Sequence, residues 1–283
     1  MEKVGLVVEG GGTKAAYSAG ALKCFLEHKI YTPYAVGISA GNELLTSYVA
    51  RQTHRMEITG IDAPCQKGVV GLRPLIKERS AFGIEATYQF IESQAPLDLE
   101  ALHSSSTKME IGLYDVKTHE VRYYDQSYVD EEQTLVWASC ALLILCPTYQ
   151  FLGREVMDAG LVDMISICQS IYHGNEKHII LSTKEEGYVR KPAPSYQLWL
   201  AKHMYHDDHI VEDLRKRHER YNEQWAVIEE LKQEGKALVL RPSKDLGVTR
   251  YTTDPAKLRP WFQLGYDETE ARIDEIKAFC GIE

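Results

Sequence analysis

Hydrophobic positions change their period several times along the chain, and each change marks an element. Val4 to Val8 is a short apolar run that leads into Gly10-Gly11-Gly12. The expectation is a buried strand followed by a tight loop. From Lys14 to Lys29, Ala15, Ala16, Ala19, Leu22, Phe25 and Leu26 recur at helical spacing. Tyr34 to Val36 reads as a second strand. It runs into Gly37-Ile38-Ser39-Ala40-Gly41, after which Asn42 to Arg51 reads as a helix. Strand, loop, helix, strand, turn, helix within the first fifty residues predicts an α/β fold: a three-layer sandwich with a mostly parallel central sheet and helices on both faces.

Residues 52 to 83 mix glycine, proline and charge and read as irregular, and Ile84 to Ile91 as a short helix. Met109 to Val116 and Val121 to Tyr124 flank Lys117-Thr118-His119-Glu120, the pattern of a β-hairpin. Asp130 to Leu145 is expected to be one helix, ended by Pro147. Val156-Met157 reads as a strand entering the turn Asp158-Ala159-Gly160, and His178 to Ser182 as a core strand. After Tyr188 the charge density rises. Ser195 to Met204 and Asp208 to Glu234 carry helical spacing, Ala237 to Leu240 reads as a strand, and Pro255 to Phe279 is helical again. The partition expected is a catalytic domain over 1–190 and a mainly helical C-terminal extension over 191–283, packed on it. There is no internal repeat or low-complexity tract.

Composition narrows the classes. The chain has 283 residues, 44% of them hydrophobic and 26% charged, so it can bury a core without disulfides or a structural metal. Its net charge is −9, with no concentrated run of Lys and Arg, which argues against a nucleic-acid partner. The same charge opposes strong attraction to anionic lipid, leaving room only for a local patch and transient contact with a membrane surface. The six cysteines form no CxxC pair and read as buried free thiols of a reducing compartment. The N-terminal apolar run is too short for a signal peptide and no stretch has the length of a transmembrane helix, so a cytoplasmic location is expected. Nothing in the sequence sets the oligomeric state.

Three short segments could carry chemistry. Gly37 to Gly41 fits G-x-S-x-G, in which a serine on a sharp strand-to-helix turn is lifted clear of the chain and small neighbours tolerate the strain. The positive end of the following helix points at the serine. Gly10-Gly11-Gly12 can present backbone N–H groups to an anion, either a phosphate or the oxyanion of an acyl transfer, or can serve close packing alone. Neither a P-loop nor a complete dinucleotide fingerprint is present. Asp158-Ala159-Gly160 is either a simple Asp turn or the seat of a carboxylate base, with Asp163 as a fallback.

Taken together these segments resemble the patatin-like phospholipases over roughly residues 5 to 183. Glu9 to Gly20 is similar to that family's opening glycine loop, Gly37 to Gly41 to its nucleophile turn, and Ala138-Ser139-Cys140-Ala141 followed by Met157-Asp158-Ala159-Gly160 to the segment ending in its aspartate. The resemblance implies a serine acyl-hydrolase that cleaves acyl esters of lipids (phospholipase A, lysophospholipase or esterase type). It implies a Ser39–Asp158 dyad without a catalytic histidine, an acyl-enzyme, and an oxyanion hole built from Gly10, Gly11, Gly12 and Lys14. Gly37 and Gly41 shape the nucleophile elbow. No metal or other cofactor is implied. Ala15, Lys14 and Ala159 depart from the residues usual at their positions. Leu240 to Lys244 and Leu264 to Tyr266 look like an extension found in some bacterial members.

Other readings are weaker. An α/β-hydrolase triad needs a histidine after the acid and near the C-terminal end, and none follows His218. A catalytically inactive lipid- or partner-binding module on the same scaffold is the alternative that an active-site probe would separate. His203, His206, Asp207, Asp208 and His209 read as a solvated helix end, not a metal site. Trp199, Tyr205, Tyr221 and Trp225 read as packing residues or the lining of a lid. Glu9 is expected either to orient the glycine loop or to form a salt bridge.

Overall fold

The computed structural model describes residues 3–69, 74, 76–77 and 80–282. Among them, eight strands form one sheet: β1 (Val4–Val8), β2 (Tyr34–Gly37), β3 (Lys108–Asp115), β4 (Glu120–Asp125), β5 (Tyr149–Phe151), β6 (Arg154–Asp158), β7 (Lys177–Leu181) and β8 (Ala237–Leu240). The order is β5-β6-β3-β2-β1-β7-β8, with β4 on β3. Strands β3, β2, β1, β7 and β8 run parallel to their neighbours in this series, while β4, β5 and β6 add an antiparallel flank. One edge of β3 is divided: residues 108–111 pair with β2 and residues 113–115 with β6.

The period-two alternation of a strand decides which layer each residue joins. Leu6 and Val8 of β1 enter the layer that contains Leu22 and Phe25 of the helix Ala16–Glu27. Val7 enters the opposite layer with Tyr221 and Ile228 of the helix Asp208–Gln233. Covered on both faces, β1 has no need of polar residues, and all five of its residues are buried. The fold is therefore mixed α/β, a mostly parallel sheet between helical layers, with a helical C-terminal region.

That C-terminal region is joined to the rest by backbone contact as well as side chains. β8 extends the sheet on β7. The helix Pro255–Glu270 crosses the helix Ala16–Glu27 so closely that a Cβ on Gly20 would lie 2.0 Å from the Phe262 carbonyl oxygen, and one on Gly265 would lie 2.0 Å from that of Tyr17. Buried Trp261 donates its indole N–H to the Lys14 carbonyl at 2.8 Å, tying this helix to the glycine loop.

Several elements differ from the sequence expectation. The helix expected over 130–145 is only Thr134–Ser139. The carbonyls of Ala141 and Leu145 accept tertiary hydrogen bonds from the N–H groups of Asp158 (3.0 Å) and Ala81 (2.6 Å), and Ile144 has a positive φ of 71°, so the helix cannot continue. Residues 52–83 are not wholly irregular, since Thr53–Glu57 is helical and Ile58–Asp62 forms a π-turn; positions 70–73, 75, 78 and 79 of that segment lie outside the described residues. The helix Leu99–His103, strand β5 and the helix Ile167–Tyr172 were not expected. The last helical stretch is two helices, Pro255–Glu270 and Ile273–Cys280. All six cysteines are free thiols, and Cys168 is exposed. No helix among the described residues is long and apolar enough to cross a membrane.

Candidate active site

The first three connections of interest open at one end of the parallel strands, where strand order reverses about β1. Open α/β sheets bind ligands at such points. β2 ends at Gly37, and the chain turns through Ile38 and Ser39 into the helix Ala40–Val49. Ile38 N–H donates to the Val8 carbonyl (3.2 Å), Gly41 N–H to that of Ile38 (2.9 Å) and Asn42 N–H to that of Ser39 (2.8 Å). This turn holds Ser39 at φ 56°, ψ −131°, a conformation that costs a non-glycine residue on the order of 1–3 kcal/mol. A Cβ on Gly37 would lie 2.9 Å from the Gly41 carbonyl carbon, and one on Gly41 2.6 Å from the Val8 oxygen, so both glycines are steric requirements.

The glycine loop lies against this turn. A Cβ on Gly10 would stand 2.6 Å from the Ile38 oxygen and 2.9 Å from the Ser39 Cβ. Gly12 has φ +56°, and a Cβ there would meet the Arg250 carbonyl oxygen at 2.6 Å. Thr13 N–H donates to that same oxygen and Lys14 N–H to Gly11 O, each at 3.3 Å. The N–H groups of Gly10, Gly11 and Gly12 meet no protein acceptor among the described residues. Lys14 does not border the cleft; its ammonium lies 3.8 Å from Glu185 and 5.4 Å from the Trp261 ring centroid. Glu9 forms no salt bridge among the described residues. It accepts from the Ser182 hydroxyl (2.6 Å), Thr183 N–H (2.9 Å) and the Tyr221 hydroxyl (2.9 Å), fixing the loop after β1 to the loop after β7.

Asp158 ends β6 and is 3% exposed. Its Oδ1 accepts the Gly160 N–H at 2.7 Å, and its own N–H donates to Ala141. Oδ2 is buried without a well-aligned partner. Burial pushes the carboxyl above the usual range; the Gly160 N–H, the nearby Ser39 hydroxyl, Arg217 and Arg250 oppose that rise. Serine and aspartate therefore share one chamber, close enough to interact electrostatically but not joined by a hydrogen bond of good geometry.

The chamber has three parts meeting at Leu142. The central part holds Ser39, Asp158, the three glycines and four cations, Lys184, Arg190, Arg217 and Arg250. One apolar arm runs from Ser39 past Ala16, Leu44, Phe82, Ile84 and Trp137. A second runs from Asp158 past Leu145, Tyr196, Leu200 and Leu214. The first arm also contains Glu43, whose Oε1 is buried without a partner among the described residues and whose carboxyl burial pushes up to about 7, with Arg55 opposing.

Of the residues singled out from the sequence, Ser39, Asp158, Gly10, Gly11 and Gly12 border one chamber. Asp163 does not; its carboxylate accepts from Tyr123 and Gln224. Missed altogether were the four cations and Glu43. The cations have no local pattern, and two of them, Arg217 and Arg250, come from beyond residue 190. Glu43 had a signal, a charge four residues after Ser39 on a helix whose neighbours are apolar. Among the described residues two groups could hold a metal ion, with ligand atoms within 4.8 Å of one another: Cys24, His28 and Glu270, and His119, Asp207 and His209. Neither borders the chamber. In the second, Asp207 also caps the helix Asp208–Gln233, so part of the expected solvated helix end is a packed cluster.

Comparison with known proteins gives two family matches. The model described as patatin-like phospholipase matches residues 6–170, and a domain of unknown function, DUF6363, matches residues 207–281. No curated protein matches the chain. Among solved structures, VipD from Legionella pneumophila is similar with a TM-score of 0.46 and 12% identity, over 97% of this chain and 67% of that one.

Proposed function

The chain belongs to the patatin-like phospholipase family, and from that premise we propose that it is a serine acyl-hydrolase in which Ser39 is the nucleophile and Asp158 its base. The observation that carries this reading is the convergence, in one chamber, of a strained serine, a buried carboxylate oxygen without a well-aligned partner, and glycine amides without acceptors among the described residues. Each is unfavourable in the resting fold, and each is satisfied by an ester passing through acyl transfer.

The substrate carbonyl lies between Ser39 Oγ and the glycine loop, its acyl chain in the arm lined by Leu44 and Trp137. Oγ attacks the carbonyl carbon while Asp158 Oδ2 takes the hydroxyl proton. The Gly160 N–H holds Oδ1, so the free oxygen is the one that faces this task. The oxyanion receives the amides of Gly11 and Gly12, with the positive end of the helix Ala40–Val49 behind them. Collapse breaks the bond to the alcohol, which leaves with the proton from Asp158. Water then attacks the acyl-enzyme, gives its proton to Asp158, and the acid departs as Ser39 recovers that proton. Burial raises the basicity of Asp158, which favours its part in each transfer.

The test is steady-state hydrolysis of a p-nitrophenyl ester series and of phospholipids. Ser39→Ala abolishes turnover of every substrate the wild type accepts. Turnover that survives Ser39→Ala refutes the assignment, and a wild type with no ester turnover would favour a binding module.

A further inference from the structure

The central part of the chamber collects positive charge. Lys184, Arg190, Arg217 and Arg250 all border it in a chain whose net charge is −9. None of the four is in an ion pair among the described residues. Lys184 Nζ donates to Thr183 Oγ1 at 2.9 Å, the Arg190 guanidinium stands 4.9 Å from the Tyr221 ring centroid, and Arg217 Nε donates to the Gly160 carbonyl at 2.6 Å. The hydrogen bond of Arg250 runs through its backbone carbonyl, which accepts from Thr13 N–H. Burial and the neighbouring cations push Lys184 down to about 8 and Arg217 down to about 9. Among the described residues only two carboxylates, Glu9 and Asp158, border this central part, leaving two positive charges in excess there.

We propose that this chamber is a phosphate subsite, and that the ester attacked by Ser39 carries a phosphate monoester on its alcohol side, as in lysophosphatidic or phosphatidic acid. The inference rests on Ser39 being the nucleophile. A phosphate monoester brings a charge of about −1.5 to −2 at neutral pH and three acceptor oxygens, which match the excess charge and the guanidinium forks. Its place is set by continuity: the cations adjoin Asp158, the group that protonates the leaving alcohol, and Arg217 and Arg250 also border the second apolar arm. A zwitterionic choline head group fits poorly. Glu9 is committed to Ser182, Thr183 and Tyr221, and Asp158 is taken up as the base, so neither carboxylate of the central part is left to meet a quaternary ammonium.

Two measurements test this separately from turnover. In Ser39→Ala protein, titration calorimetry compares lysophosphatidic acid, lysophosphatidylcholine and monoacylglycerol of one acyl chain, below their micellar concentrations, with inorganic phosphate as a fourth ligand. Lysophosphatidic acid is expected to bind at least about tenfold more tightly than the other three, and Arg250→Gln or Arg190→Gln to reduce that preference by about tenfold or more. Equal binding of the three lipids, or a preference untouched in both folded variants, overturns the subsite. Inorganic phosphate binding as tightly as lysophosphatidic acid also overturns it, in favour of a free-anion site. In wild-type protein, hydrolysis of the same lipids reads the parent assignment: absence of Ser39-dependent turnover with the binding preference intact refutes the nucleophile and not the subsite.

Discussion

Asp158 and Glu43 are two buried carboxyls whose titration is tied to their surroundings in the same direction. Each is pushed up by burial, so the native state keeps a proton that the unfolded chain has already released. Unfolding free energy therefore falls as pH rises from the ordinary carboxylate range through the native value. For Asp158 the consequence is twofold. Asp158→Asn is expected to lower kcat by about 10²- to 10⁴-fold while leaving Tm at pH 7 equal to or above that of the wild type. The acid limb of kcat/KM is expected to have a midpoint above the ordinary aspartate value of about 3.9; a midpoint at or below it would count against Asp158 as the base. For Glu43, protonation is lost between its ordinary value of 4.5 and about 7. Glu43→Gln removes that dependence, so the variant is expected to gain about 1–3 kcal/mol on the wild type between pH 5 and pH 8, read by urea denaturation at the two values. A constant difference across that range contradicts the account.

Elements defined by local pattern were legible in the sequence, and elements defined by distant partners were not. β1 with its glycine loop, and β2 with the serine turn, follow from neighbouring residues alone, because the sterics of Gly37 and Gly41 act within the turn and on the adjacent strand. The stretch after Ser139 shows the opposite. Its apolar run reads as helix, but Asp158 and Ala81 take the carbonyls a helix would need, and the resulting irregular turn puts Leu142 and Leu145 on the cleft. The crossing of the helices Ala16–Glu27 and Pro255–Glu270 is another such case, since neither Gly20 nor Gly265 announces its partner. At that crossing Gly265→Ala is expected to cost about 2 kcal/mol or more, because the new methyl group meets backbone and not a movable side chain. A urea midpoint unchanged from the wild type would show that the crossing relaxes freely.

At the scale of the whole molecule, the residues beyond 190 contribute to the sheet, to the core and to the chamber. β8 covers the outer edge of β7, Tyr221 and Ile228 cover one face of the sheet, and Arg217 and Arg250 border the chamber. We therefore expect a chain truncated after residue 190 to be insoluble or to lose cooperative thermal unfolding, since it exposes that face and edge together; a soluble fragment with a sharp transition would show the first 190 residues to be self-sufficient. The claim on which the functional reading depends is the reactivity of one hydroxyl. Incubation with a fluorophosphonate followed by intact-mass and peptide mass spectrometry measures it directly. The account predicts one adduct per chain, on Ser39, absent in Ser39→Ala and formed far more slowly in Asp158→Asn. An adduct on another residue, or an unlabelled wild type, would contradict it.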